Sequence, residues 1–186
     1  MIEGKKSGVG VRSSVAQLSP YVCARDLYKE ADVFLDANEN PFENTLEGLP
    51  LSKISLNRYP DPDCTKLREA LADYCRVLPK NMLVGNGSDE IISLCINAFA
   101  QIGDNIISVQ PGYSMYDVCA SAAGIEVKEA LLSEGFEFSV ENILNQVDGK
   151  TKLIMFPSPN SVAGNEVAQE KIVELLEKFD GMVFVD

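Results

Sequence analysis

The chain has no histidine among its 186 residues. That excludes nucleophiles activated by a Ser-His-Asp arrangement and most zinc-binding patterns, since both depend on imidazole. Its five cysteines (Cys23, Cys64, Cys75, Cys95 and Cys119) are odd in number, scattered, and form no Cys-x-x-Cys pair. Reduced, partly buried thiols in a cytoplasmic protein are the simplest expectation, and no metal site is expected. Basic residues are sparse, 16 against 28 acids for a net charge of −12, with no Lys/Arg-rich run. Nucleic acid and anionic membrane are therefore not expected partners. No apolar run approaches the ~18 residues of a membrane span. The N-terminus carries Lys5, Lys6 and Arg12 but no apolar segment of the kind a signal peptide needs.

What remains is ordinary globular material, 46% hydrophobic and 24% charged, long enough to bury a core. Residues 1–30, polar and Gly/Ser-rich at the start, are expected to form an N-terminal arm, with one domain over 31–186. Val33-Phe34-Leu35 reads as a strand entering the polar turn Asp36-Ala37-Asn38-Glu39-Asn40-Pro41. Pro60 and Pro62 hold the segment Asn57–Asp63 extended. Asp63 is placed to cap a helix whose apolar face is Leu67, Ala70, Leu71, Tyr74 and Leu78. From there the chain alternates. Strands are predicted at 82–84, 105–109, 125–130, 152–156 and 182–186, with helices near 88–100, 113–123, 139–146 and 167–179. Continuous apolar strands alternating with helices predict an α/β fold, a mostly parallel sheet covered on both faces. Ligands of such sheets sit beyond the carboxyl ends of the strands. Attention therefore goes to loops 85–89, 110–113 and 157–164, and to Asp186.

The first of these carries the most information. Met82-Leu83-Val84 ends at Gly85-Asn86-Gly87-Ser88-Asp89-Glu90 and runs into the apolar Ile91–Ile96. Glycines permit a tight turn, and a helix N-terminus offers unpaired N–H groups and the positive end of its dipole, a seat for phosphate. A plain strand-to-helix connection with Ser88 or Asp89 as N-cap has the same signature. Tyr113 after one strand, the Pro157–Gly164 loop after another, and Asp186 at the end of a third each have a similarly plain reading as packing, turn and cap.

Taken together, Leu35-Asp36-Ala37-Asn38-Glu39-Asn40-Pro41, Asn57-Arg58-Tyr59-Pro60-Asp61-Pro62, Gly85-Asn86-Gly87-Ser88-Asp89-Glu90 and Pro111-Gly112-Tyr113-Ser114-Met115-Tyr116 closely resemble the histidinol-phosphate aminotransferase family. These are fold-type-I enzymes that use pyridoxal 5'-phosphate (PLP). The resemblance runs from about Leu18 to Asp186 and corresponds to the first half of such an enzyme, so 31–186 would be the N-terminal part of its PLP-binding large domain. It implies that Gly87, Ser88 and Asp89 hold the PLP phosphate, that Tyr113 stacks on the pyridine ring, and that Asp186 pairs with the ring nitrogen. It further implies a homodimer in which Tyr59 reaches the partner's cofactor phosphate, and a substrate mouth that includes Tyr21 and Asn38. The small-molecule partners would be an amino donor and a keto-acid or phosphate-ester acceptor.

Two departures stand out. The family's loop reads Asn-Asn-Pro-Thr-Gly, whereas here Asn160-Ser161-Val162-Ala163-Gly164 stands, leaving Ser161 to donate to the phenolic oxygen of PLP over a shorter reach. None of the eleven lysines from Lys5 to Lys178 sits in the family's Schiff-base motif. The expectation is a fragment or truncated copy of a transaminase, inactive by itself, and unstable or aggregated because a cut sheet leaves an edge and apolar helix faces uncovered. Three other readings stay open: an aromatic aminotransferase, a phospho-amino-acid decarboxylase relative, and a non-catalytic remnant.

Overall fold

The computed structural model describes residues 61–186. The arm, the Val33–Leu35 strand, Tyr21, Asn38 and Tyr59 lie outside the described residues. Residues 61–84 belong to one compact unit and Gly85–Asp186 to another.

In the first unit, helix α1 spans Thr65–Cys75. Its entry corrects the expected cap. The carboxylate of Asp61, not Asp63, accepts the backbone N–H groups of Asp63 at 3.0 Å and Thr65 at 2.8 Å. Cys64 at the cap position has φ 47° and makes no side-chain bond. An acid three residues before the cap can curl forward over the turn, and from sequence it cannot be told from one that caps directly. Hydrogen bonds from Thr65 (side chain, then backbone) and Asp63 hold the Asp61 carboxyl below its ordinary value. The expected apolar face is also corrected. Only Ala72 of α1 is buried; Leu67 and Tyr74 are exposed, and Leu78 lies beyond the helix, which stops at Arg76 with φ 56°. The predicted strand at 82–84 forms no ladder among the described residues. An apolar run of three becomes a strand only when a neighbour supplies its hydrogen bonds.

The second unit is the α/β body. Helix α2 spans Ser88–Phe99, β1 Asn105–Gln110, α3 Met115–Ala123, β2 Glu126–Leu131, α4 Val140–Leu144, β3 Thr151–Phe156, α5 Gln169–Lys178 and β4 Met182–Val185. Each lies within two or three residues of its predicted bounds. The four strands are all parallel in the order β2-β1-β3-β4. Alternation along β1 and β3 divides the core. Ile107, Val109, Ile154 and Phe156 meet α4 and α5 through Val140, Ile143, Leu175 and Phe179. Ile106, Leu153 and Met155 meet α2 and α3 through Ile92, Ile96, Tyr116 and Ala120. Both faces of the sheet are thus covered, which is why burial along the central strands is continuous rather than alternating. Ser139 caps α4 by accepting the N–H of Asn142 at 3.2 Å, and Gly124 ends α3 in the left-handed region at φ 79°.

At the amino ends of β1 and β3 a polar knot ties the strands together. Asn105 donates to Asp148 at 3.0 Å and accepts from Thr151 at 2.7 Å. Asp148 also pairs with Lys128 at 2.8 Å and takes the Lys150 N–H at 2.8 Å. The hydrogen bond from Lys128, followed by those from Asn105 and Lys150, holds the Asp148 carboxyl well below its ordinary 3.8. A carboxyl lowered by folding stabilises the native state above its unfolded value, and that contribution is lost as pH falls through the folded one. Asp148→Asn should therefore flatten the loss of stability below pH 3.8. Urea midpoints between about pH 2 and pH 6 read this directly. Equal acid slopes in the two proteins would contradict it.

Candidate functional site

The strand order reverses between β1 and β3. The chain leaves β1 toward β2 on one side and passes from β3 to β4 on the other. Loops at the carboxyl ends of two such strands diverge and leave a crevice, the usual ligand position in open α/β sheets. A cleft of about 250 Å³ is lined there by Ser88, Tyr113, Pro157, Pro159, Ser161 and Asp186. Four of these six are residues singled out in the sequence. A larger groove of about 420 Å³ runs along α5, lined by Gln169, Glu170, Val173, Glu174 and Glu177, and its three carboxylates are the wrong chemistry for a phosphate.

The floor of the cleft begins at the start of α2. Gly87, rather than Ser88 or Asp89, is the N-cap, with φ 84° and ψ 175°. That combination is essentially restricted to glycine. No side chain caps the first turn, so its N–H groups keep their capacity for an anion. Both acids of that turn are engaged elsewhere. Glu90 accepts from the backbone and side-chain nitrogens of Asn86 at 2.5 and 3.1 Å, and Asp89 accepts the hydroxyl of Tyr113 at 2.8 Å. A Cβ at Gly87 would meet nothing within 4 Å, so Gly87→Ala suffers backbone strain alone. The expected loss is about 1–3 kcal/mol of stability, and an unchanged denaturation midpoint would contradict it.

Tyr113 sits in the loop between β1 and α3, where Gly112 packs so tightly that a Cβ would lie 2.4 Å from the Val109 carbonyl oxygen. Its ring meets that of Tyr116 edge-on at 5.6 Å, and Tyr116 meets Phe184 at 6.4 Å. Tyr116 is fully buried on α3, yet its hydroxyl donates to Asp186 at 3.1 Å. Burial raises the Tyr116 phenol far above its ordinary value, with the Asp186 charge and hydrogen bond and then Tyr113 adding to it. It is therefore a permanent neutral donor to that carboxylate. Asp186 itself is fixed by backbone, its N–H donating to Phe156 at 3.1 Å and its carbonyl accepting from Ser158 at 2.9 Å.

The Pro157–Gly164 loop is organised by Asn160, which is 5% exposed. Its amide nitrogen donates to the Pro111 carbonyl at 2.9 Å, and its side-chain oxygen accepts from Val162 and Ala163 at 2.9 and 3.1 Å. Asn160 is thus committed to tying the two loops together, while the neighbouring Ser161 is exposed and faces the cleft.

The structure brings Ser88, Tyr113, Ser161 and Asp186 to one place, with Gly87 and Asp89 framing it. Tyr59, Tyr21 and Asn38 lie outside the described residues. Sequence reasoning singled out the loop that carries the two lining prolines without giving them a role, and it missed the part of Tyr116. The only signal for Tyr116 was its place three residues after Tyr113, one helical turn on. No cluster of three or more acidic or cysteine side chains suited to a metal occurs among the described residues. Nor does a helix long and apolar enough to cross a membrane.

Histidinol-phosphate aminotransferase of Christiangramia forsetii is 44% identical over 180 residues, 95% of this chain and 49% of that protein. The enzyme of the same name from Bacteroides thetaiotaomicron is 41% identical over 178 residues, 94% of this chain and 49% of that protein. The chain therefore spans about half the length of the curated relatives it matches. Among solved structures, histidinol-phosphate aminotransferase from Sinorhizobium meliloti in complex with pyridoxal-5'-phosphate superposes with a TM-score of 0.64 at 19% identity, over 69% of this chain and 36% of that one, which speaks to the fold alone. A family model for aminotransferases of class I and II matches residues 31–186, and the chain belongs to that family.

Proposed function

We propose that the cleft at the β1/β3 switch holds PLP, and that this chain supplies the cofactor-binding half of an aminotransferase acting on histidinol phosphate and 2-oxoglutarate. The observation that carries the reading is the convergence of an uncapped helix N-terminus, an aromatic ring, a hydroxyl and a carboxylate on one cleft. These donors suit the group. The amides of Gly87, Ser88 and Asp89 match a phosphate, and the ring of Tyr113 matches a flat heterocycle. Ser161 can donate to a phenolic oxygen, and the carboxylate of Asp186 can hold a proton on a ring nitrogen. When bound, PLP supplies an electron sink for the bonds at the substrate's α-carbon. Asp186 would keep that sink effective by holding the ring proton, and Tyr116 would keep the Asp186 carboxylate aimed. Tyr113, by engaging Asp89, would keep a negative charge off the phosphate seat. The 41–44% identity to histidinol-phosphate aminotransferases supports the choice of substrate. On this reading Tyr59 serves a partner's cofactor across a homodimer interface, and Tyr21 and Asn38 belong to the substrate mouth.

The test has two arms in the intact protein. Amino transfer should be detected from histidinol phosphate to 2-oxoglutarate and be far slower from phenylalanine or tyrosine; the reverse preference would assign an aromatic aminotransferase instead. After PLP addition and borohydride reduction, peptide mapping should find none of the eleven lysines of residues 1–186 labelled stoichiometrically. A single full label on one of them would show that the reactive lysine had been misplaced.

A further inference from the structure

Behind the Tyr113 loop lies a polar cluster that the proposed chemistry does not use. Ile106, Ser108 and Gln110 alternate along β1 toward α3, and Ser108 is fully buried. Gln110 is the hub. Its amide nitrogen donates to the Ser108 hydroxyl and to the Asp117 carboxylate, both at 3.0 Å. Its amide oxygen accepts the Gly112 N–H at 3.1 Å. The other oxygen of Asp117 is buried and has no hydrogen-bond partner among the described residues. Burial raises the Asp117 carboxyl above its ordinary value, opposed by a Ser108 hydrogen bond and reinforced by Glu129. A half-buried carboxylate with one oxygen enclosed and unserved is a destabilising arrangement, and Gln110 bridges it to a loop N–H.

We infer that Gln110, anchored by Asp117 and Ser108, is a positioning residue for the aromatic platform of the cleft. It grips the Gly112 N–H from the β1 side while Asn160 grips the Pro111 carbonyl from the β3 side, so both polar groups of the Pro111–Gly112 peptide just before Tyr113 are held. The geometry explains why a glutamine is needed. Only an amide offers a donor toward Asp117 and an acceptor toward Gly112 on one planar group, and glutamate or leucine supplies one or neither. Without the grip, Tyr113 would sample positions off the cleft, and the flat ligand would lose its stacking face.

This inference rests on the PLP reading, and the experiment separates the two. PLP affinity of the intact apo-protein is read from the absorbance of the bound cofactor for wild type, Gln110→Leu, Tyr113→Ala and the double variant. If Gln110 acts through Tyr113, Gln110→Leu should weaken binding roughly 5- to 20-fold alone but less than about twofold in the Tyr113→Ala background, the non-additivity of residues that act as one unit. An equal loss in both backgrounds would make Gln110 a purely structural residue and overturn the inference. Wild-type apo-protein that takes up no PLP would overturn the cofactor reading and this inference with it. Should Gln110→Leu fail to fold, the exchange Gln110→Glu with Asp117→Asn decides. It restores the bridge with donor and acceptor reversed, and should bind PLP within about threefold of wild type. If the folded exchange variant instead binds as weakly as Gln110→Glu alone, the inference fails.

Discussion

Asp186→Asn in the intact protein is expected to weaken PLP binding roughly 10- to 150-fold, the equivalent of the ~1.5–3 kcal/mol carried by a hydrogen bond to a charged partner. Turnover should fall by about 100-fold or more, because the lost charge acts most strongly where electrons move into the ring. Asparagine is the informative substitution. It leaves an oxygen to accept the Tyr116 hydroxyl at the position now 3.1 Å away, and the backbone bonds to Phe156 and Ser158 do not depend on the side chain. Alanine would strand a buried phenol and confuse loss of charge with loss of packing. Melting of Asp186→Asn should therefore stay near wild type while the bound cofactor's absorbance and affinity change. Unaltered affinity would remove Asp186 from the site, and the proposed orientation of PLP with it.

The largest effect on stability is expected from Phe156→Ala, about 3–5 kcal/mol. Phe156 is 1% exposed at the carboxyl end of β3, and its ring packs against Phe138 at 4.7 Å. Deleting it leaves a cavity between the sheet and the α4/α5 layer, directly under Pro157 and the loop that Asn160 organises. Against the ~5–15 kcal/mol that holds a typical domain together, this is about a fifth of the total or more. Chemical denaturation should show it as a fall in midpoint. Val173→Ala on the solvent side of α5, where the side chain is 45% exposed, should stay within about 0.5 kcal/mol. A loss below about 1 kcal/mol at Phe156 would mean that the neighbouring core collapses to fill the space.

The parts of this molecule that could be read in advance are those governed by local rules. Ile106-Ile107 and Leu153-Ile154-Met155-Phe156 are apolar without alternation because they are buried on both faces, and an unbroken run says so before any neighbour is known. Gly85 and Gly87 announce a tight turn ahead of the helix that begins at Ser88. Where local rules offered two answers, the choice went unseen. Asp63 was the expected cap, and Asp61 took the role because of how the turn folded over Thr65. Met82-Leu83-Val84 met the pattern of a strand, but pairing is not a property of three residues. Tyr116 is buried in the core between α3 and the sheet, and its second task depends on a carboxylate 70 residues further along.

Composition, periodicity and turn residues by themselves indicated the elements from Ser88 onward, the parallel sheet, and the chemical types gathered in loops 85–89, 110–113 and 157–164. Those are short-range matters, decided by φ/ψ preference and by which side of each segment avoids water. Only the tertiary structure set β1 beside β3, with Ser108 opposite Met155, and so opened a cleft between two loops nearly fifty residues apart. It alone turned Asp89 toward Tyr113 and gave Asp186 its buried donor. Contacts of that range follow from how whole layers pack, and no stretch of sequence carries that information locally.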